Sequence, residues 1–305
     1  MKKTTFNLHT HTWRCGHAIG QDHEYIEAAI MAGFNVIGFS EHIQYRADRG
    51  KYNRINFEDF KQYFWDFCIL KERYKKDIKI LCGLEAAFVP ETLNDLLELS
   101  CFSDYIILGQ HQGGLTTKKY CLKCDEDDLI KYAEDIESAL ETGLYSIVAH
   151  PDFFMNARNT WTKQCDITSE RICIAAKKCG VPLELNIKGS NEQKLLINET
   201  LRVRYPYRRF WEIASQVGND ILYGWDAHCP LDLYRTTISV DKIVDGLNLK
   251  IIKDFNEEDI IKTKTHSSIN KIIYCYPLFV FKLLFYPLLT NHMAVLLVQI
   301  LKSHH

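Results

Sequence analysis

His9 and His11 stand two residues apart in Leu8-His9-Thr10-His11-Thr12, directly behind the β-prone run Thr4-Thr5-Phe6-Asn7-Leu8. On an extended chain residues two apart face the same way, so the pair offers two neutral imidazole nitrogens side by side, a clamp for a metal ion. Further along come His17 in Cys15-Gly16-His17-Ala18, His42 in Phe39-Ser40-Glu41-His42 and Glu85 after Gly83-Leu84. They are followed by His111 in Gly109-Gln110-His111, His150 in Ala149-His150-Pro151-Asp152, and Asp226 with His228 in Trp225-Asp226-Ala227-His228. Seven of the twelve histidines belong to this set. One such histidine alone is more often a satisfied surface or core residue, but seven with two carboxylates shift the balance. Imidazoles around a bridging carboxylate suit zinc, manganese or iron, whereas all-oxygen sites suit magnesium or calcium. Nine ligands are too many for one ion, so two or three divalent ions are implied.

A repeating rhythm of strand and helix must position these residues. Helical patterns are expected at Asp22 to Ala32, Phe57 to Lys76, Glu91 to Leu99, Glu126 to Glu141, Asp166 to Cys179 and Tyr207 to Val217, several of them closed by a glycine. Short apolar β-type runs are expected at Thr4 to Leu8, Asn35 to Phe39, Ile78 to Leu84, Tyr105 to Leu108, Tyr145 to Ala149, Val181 to Leu185 and Ile221 to Tyr223. Each run hands over to polar side chains at its end. Strands alternating with helices imply a parallel sheet, and seven such units closing on one another make a TIM-like barrel whose active site gathers at the C-terminal strand ends. A flat doubly wound sheet is the alternative, but it would scatter the histidines along an edge.

The ordered set HTH, CGHA, FSEH, a glutamate after GL, GQH, AHPD and a closing WDAH resembles the polymerase and histidinol phosphatase (PHP) family over residues 4–260, with an order and spacing most like its histidinol-phosphatase branch. The resemblance implies a distorted TIM-like (β/α)7 barrel as a single domain over residues 1–262. It implies one metal held by His9, His11, Glu85 and Asp226, a second by His111 and His150 with Glu85 bridging, and a third by His17, His42 and His228. The implied reaction is hydrolysis of L-histidinol phosphate to L-histidinol and phosphate, a step of histidine biosynthesis, with a metal-bridging hydroxide attacking phosphorus and Glu85 and Asp226 as catalytic carboxylates. Two departures bear on the substrate. Trp225 replaces the small serine usual before the terminal Asp-Ala-His and could narrow the pocket or point into packing, and Gly109-Gln110 precedes His111 where the branch often has a different pair.

Arg158 and Lys188 are candidates to grip a phosphate, each weighed against a plain solvated basic residue. Asp152 is a candidate to orient a histidine or pass a proton to the leaving group, and Glu41 is in the same position. The runner-up reading is a phosphatase of the same family acting on another small phosphoester, such as a nucleotide, sugar phosphate or phosphotyrosine. Behind it stands a non-catalytic metal-binding or membrane-tethered protein.

Composition narrows the partners. The 305 residues are 47% hydrophobic and 25% charged with a net charge of -2, which suits a soluble protein with a small-molecule partner, a small phosphorylated substrate by the resemblance, and disfavours a nucleic-acid-directed exonuclease, since there is no basic stripe. Eleven irregularly spaced cysteines and an N-terminus without a signal-peptide pattern lead to the expectation of reduced thiols and a cytoplasmic location. Cys121 and Cys124 lack the second pair that a zinc ribbon needs and are expected to be loop cysteines. Residues 263–305 form an apolar C-terminal tail. Its stretch Ile272 to Leu301 is broken at Pro277, Lys282, Pro287 and Asn291, short of the roughly 18–20 uninterrupted apolar residues of a membrane span. The tail is expected to pack on the barrel or be poorly ordered, with membrane association or an altered reading frame as alternatives; His304 and His305 are read as end residues. Oligomeric state leaves no signature.

Overall fold

The computed structural model of the protein describes residues 4–47, 54–115, 119–197 and 199–261. Six strands come first: β1 (Phe6–Asn7), β2 (Val36–His42), β3 (Lys79–Ala86), β4 (Ile106–Leu108), β5 (Ile147–Val148) and β6 (Leu183–Asn186). Between them run α1 (Asp22–Met31), α2 (Phe60–Tyr74), α3 (Leu93–Ser100), α4 (Glu126–Glu141) and α5 (Lys163–Cys179). After β6 come a short helix α6 (Ile187–Ser190) and an antiparallel hairpin of β7 (Leu195–Ile197) and β8 (Thr200–Arg202). The chain then runs through α7 (Arg208–Val217), β9 (Asp220–Gly224), α8 (Ile238–Ile243), β10 (Lys250–Ile251) and α9 (Glu257–Ile260). Local chemistry sets the ends: Asp125 and Asp128 cap the start of α4 reciprocally, and Gly180, at φ 65°, turns the chain out of α5 in a left-handed conformation that costs glycine little.

Eight strands form one parallel sheet in the order β1-β2-β3-β4-β5-β6-β9-β10. The order never reverses, and a doubly wound sheet requires a reversal, so that alternative falls. The sheet curls until its two edge regions meet. Thr5 N–H and the Thr4 hydroxyl both donate to the Lys253 carbonyl, at 3.3 and 2.9 Å, and the segments after β1 and β9 bridge in parallel through Thr10 and Ala227. The expected seven strands fall one short of the eight in this sheet, because β10 is only two residues long and carries no period of its own, and the separate hairpin of β7 and β8 was not expected.

Side chains alternate across this sheet with the two-residue period of a strand. Ile80, Cys82, Leu84 and Ala86 of β3 face the helices in the larger apolar cluster. Leu81 faces inward, where it meets Phe6, Leu8, Val36, Tyr105, Ile107, Ile147 and Leu222, with Ile260 and Ile261 completing this smaller interior core. Tyr105 crosses the interior and donates its hydroxyl to the Leu8 carbonyl at 2.7 Å. It passes Gly38 and Gly83, where an added Cβ would lie 2.3 and 2.4 Å from it. Above this apolar fill the inward positions turn polar, with Glu85 on β3, Glu184 and Asn186 on β6, and Asp226 just after β9.

Among the described residues no helix is long and apolar enough to cross a membrane. Neither Cys121 nor Cys124 is in a disulfide. The expectations for the tail, residues 263–305, lie outside the described residues.

Candidate metal centre

Glu85 is the hub. The register of β2 on β3 sets His42 directly beside it. Its Oε2 lies 3.2 Å from the Nε2 atoms of both His9 and His11 and 3.1 Å from His42 Nδ1. Its Oε1 lies 3.0 Å from His150 Nε2 and 3.4 Å from His111 Nε2. Asp226 Oδ1 is 3.5 Å from Nε2 of both His9 and His11 and 3.3 Å from His228 Nδ1. His17 reaches in from the loop after β1, its Nε2 2.9 Å from His228 Nε2. Arg14, clamped between Asp22 and Asp66 at 2.6 and 2.8 Å, fixes that loop. The structure thus brings all nine sequence-predicted ligand residues together. His42 belongs to two clusters at once, one with Glu85 and His111 and one with His11 and His228, so it is not confined to the set with His17 and His228.

The backbone is shaped to this end. His150 and Asp226 have φ of 29° and 46°, a region that non-glycine residues occupy at a cost of about 1–3 kcal/mol each and that clusters at functional sites. Gly109 leaves space for the hub, since a Cβ there would stand 1.9 Å from Glu85 Oε1. Gln110 is buried and spans loops, accepting from Phe88 N–H at 2.8 Å and donating to the Gln112 carbonyl at 2.9 Å. The Gly109-Gln110 departure therefore serves the frame of the site.

Burial opposes charge throughout the centre. It lowers His11 and His42 well below the usual imidazole range and pushes His111 down to about 3, so these rings keep free lone pairs at neutral pH. His228 is lowered by burial and Lys188. At His9 burial is outweighed by Glu184, Asp226 and Glu85, and at His150 by Glu85, so both rings are raised. Glu85 is held well below the usual carboxylate range despite burial, by His42, His111 and His9; Asp226 is lowered in spite of its burial by Lys188, His9 and His228.

This donor set fits divalent cations. His9 Nδ1–H donates to Glu184 Oε1 at 2.6 Å, which turns its Nε2 toward His11 Nε2, only 3.1 Å away. Glu85 and Asp226 converge on the same spot and draw positive charge to it: without a cation the raised His9 ring holds a proton there, and a divalent cation would take that proton's place. Neutral imidazoles with anionic carboxylates are the forms that ligate metal.

Glu184 was missed by the sequence reading. Its signal was a carboxylate between Leu183 and Leu185 in an otherwise apolar strand, an inward position in a barrel. Lys188 reaches the centre, 3.2 Å from His228 Nδ1 and 3.6 Å from Asp226 Oδ1. Arg158 does not. Its guanidinium donates to the Cys124 carbonyl at 2.7 Å and to Glu126 at 2.5 Å, tying the loop after β5 to the start of α4, so the expectation that it grips substrate is corrected. Asp152 is likewise placed as an anchor, because its Oδ2 accepts from the Tyr207 N–H at 2.6 Å and Trp211 Nε1–H at 3.2 Å at the head of α7. Trp225 points away from the cavity. Trp225 continues the outward direction of Tyr223 on β9, where it meets Phe34 edge-on at 4.9 Å and donates Nε1–H to the Arg235 carbonyl. Glu41 is buried behind His11, accepts from Thr12 N–H at 2.7 Å, and is pushed up to about 8 by burial. The cavity over the centre has a volume of about 190 Å³ and is walled by Lys188, Phe153 and Tyr205 as well as His17, His42, Glu85, His111, His150, Asp226 and His228.

A curled parallel α/β sheet that gathers imidazoles and carboxylates at its C-terminal strand ends defines a metal-site α/β barrel protein. Residues 7–188 match the PHP domain, more than half of the chain, and the protein belongs to the PHP domain family. A protein of Deinococcus radiodurans named a probable histidinol-phosphatase is 28% identical over 247 residues, 78% of this chain and 92% of that one. A crystal structure of histidinol phosphate phosphatase from Lactococcus lactis, complexed with zinc, L-histidinol and phosphate, shares the fold at a TM-score of 0.62 and 18% identity, covering 83% of this chain and 97% of that one.

Proposed function

We propose that the chain is a metal-dependent phosphoric monoester hydrolase that converts L-histidinol phosphate and water to L-histidinol and phosphate. The observation that carries this reading is the convergence of five imidazoles on Glu85 at 3.0–3.4 Å beneath a small cavity that also holds Lys188. The name of the Deinococcus relative and the ligands of the Lactococcus structure support the choice of substrate.

Two or three divalent ions of zinc, manganese or iron suit the donors. His9, His11, Glu85 and Asp226 would hold one, His111 and His150 with Glu85 a second, and His17 and His228 with His42 a third. When bound, such ions lower the pKa of a coordinated water and balance phosphoryl charge. Lys188, beside His228 and Asp226, is placed to donate a charge-assisted bond to a phosphoryl oxygen. Phe153 and Tyr205, with ring centroids 5.4 Å apart and planes at 72°, give the organic part of the ester an apolar wall. At about 190 Å³ the cavity is smaller than the roughly 300–1,000 Å³ of pockets for drug-sized ligands, which favours a small monoester.

The test is phosphate release from L-histidinol phosphate against a nucleotide, a sugar phosphate and phosphotyrosine, with zinc or manganese supplied. The expected result is the highest kcat/KM on L-histidinol phosphate; equal or better turnover of another ester would move the assignment to that substrate. His9→Ala and Glu85→Ala are each expected to lose metal and at least about 100-fold in rate.

A further inference from the structure

We propose that Glu184 is the positioning residue for one wall of the metal centre, holding His9, His150 and Asp226 in ligating position through a single buried carboxylate. The proposal rests on the metal centre inferred above and is independent of the substrate.

Both oxygens of Glu184 are in use. Oε1 accepts from His9 Nδ1–H at 2.6 Å, while Oε2 accepts from the main-chain N–H of His150 at 2.9 Å and from Asn186 Nδ2 at 3.2 Å. Asn186 Nδ2 also lies 3.3 Å from Asp226 Oδ2, and its Oδ1 accepts from Gly189 N–H at 2.8 Å, fixing the first turn of α6 beside Lys188. A carboxylate facing the outer nitrogen of a ligating imidazole sets the ring's tautomer and angle, and the loss of such a partner weakens metal binding by about 10–100-fold. Here the same carboxylate also binds the backbone of His150, whose φ of 29° needs support, and reaches Asp226, whose φ is 46°, through one amide.

A bland core role does not account for this placement. Glu184 is 1% exposed and, among the described residues, has no lysine or arginine in ion-pair contact, so nothing but the site's own donors compensates its burial. Neighbouring β9 makes room for it alone. A Cβ on Gly224 would lie 1.6 Å from Glu184 Oε1, so a side chain at that inward position is incompatible with the carboxylate where it stands.

Two variants perturb the carboxylate independently. Glu184→Gln keeps its size but offers one acceptor oxygen to three converging donors, and Gly224→Ala keeps Glu184 and displaces it. Zinc affinity and stoichiometry would be measured on the full chain by chelator competition and elemental analysis, with melting of the EDTA-treated protein recorded in parallel. Both variants are expected to bind zinc about 10–100-fold more weakly at one or more sites. A purely structural role would lower the melting temperature of the EDTA-treated protein and leave zinc affinity of the folded protein unchanged, and that result overturns the proposal. If Glu184→Gln does not fold, Gly224→Ala decides by the same criterion. Wild-type protein that takes up no zinc would defeat the metal-centre reading itself; normal uptake by wild type and both variants defeats the Glu184 assignment alone.

Discussion

Replacing Gly109 by alanine would put one methyl group against the hub of the metal centre. The new Cβ would lie 1.9 Å from Glu85 Oε1, 2.6 Å from Cδ and 2.7 Å from Cγ, where ordinary contact begins at 3.4 Å, so the carboxylate must retreat by about 1.5 Å. Its oxygens now stand 3.0–3.4 Å from five imidazoles, and metal–ligand distances tolerate only about 0.2 Å. A displacement of about 1 Å in a catalytic centre costs roughly 100-fold in rate. Gly109 lies outside the left-handed region, so backbone strain does not contribute. Overpacking by one methyl costs about 1–3 kcal/mol against a typical stability of about 5–15 kcal/mol, and the variant should remain folded. The expected outcome is loss of at least one zinc per chain by elemental analysis and at least a 100-fold fall in kcat/KM for phosphate release, with a cooperative melt retained. A full metal complement with kcat/KM within threefold of wild type would refute the reasoning.

The convergence of these residues was legible because most of them stand at or just after the end of an apolar β-type run, and a parallel barrel gathers such ends into one place; His17 comes instead from the loop after β1. Glu184 was not, since it lies inside its strand, two residues before the end of β6, and only the direction of the barrel axis distinguishes it from a residue facing the helices. Trp225 shows the same physics from the other side: it continues the outward positions of β9 and packs among the side chains that face the helices, so its bulk stays out of the cavity. Arg158 and Asp152 follow the strand that leads to His150 and cap the two ends of a single 3-10 turn, Phe153–Ala157, too short to show a period. Their directions are set by Cys124, Glu126, Tyr207 and Trp211, partners 32 to 59 residues away in sequence, and no local pattern announces such contacts. The strand count fell one short for a similar reason, because β10 is held by its neighbour β9 rather than by a hydrophobic run.

Lys188 and Arg158 separate site from scaffold. Lys188→Met should lower kcat/KM about 10–100-fold, the worth of a lost charged hydrogen bond, while Arg158→Met should leave kcat/KM within about threefold and cost about 1–3 kcal/mol in urea denaturation; the reverse pattern would restore Arg158 as a phosphate ligand. Asp152→Asn tests the other corrected role through pH. Burial pushes the Asp152 carboxyl up from 3.8 to about 6, and among the described residues its Oδ1 has no hydrogen-bond partner while Oδ2 accepts two N–H donors. Between these two values the folded protein holds a proton that the unfolded chain has released. The contribution of Asp152 to stability is therefore greatest below pH 3.8, falls as pH rises through that window, and levels off above about 6. The shift corresponds to a fall of about 3 kcal/mol at most. Asparagine keeps an acceptor oxygen for Tyr207 and Trp211 and has no charge to bury. In EDTA-treated protein the variant should therefore gain on wild type by up to about 3 kcal/mol between pH 4 and pH 7, read from urea midpoints at each pH, while the pH profile of kcat/KM for the metal-loaded enzyme keeps its shape. A stability difference that stays flat or moves the other way with pH would refute the raised carboxyl, and a lost limb of the kcat/KM profile would return Asp152 to proton transfer.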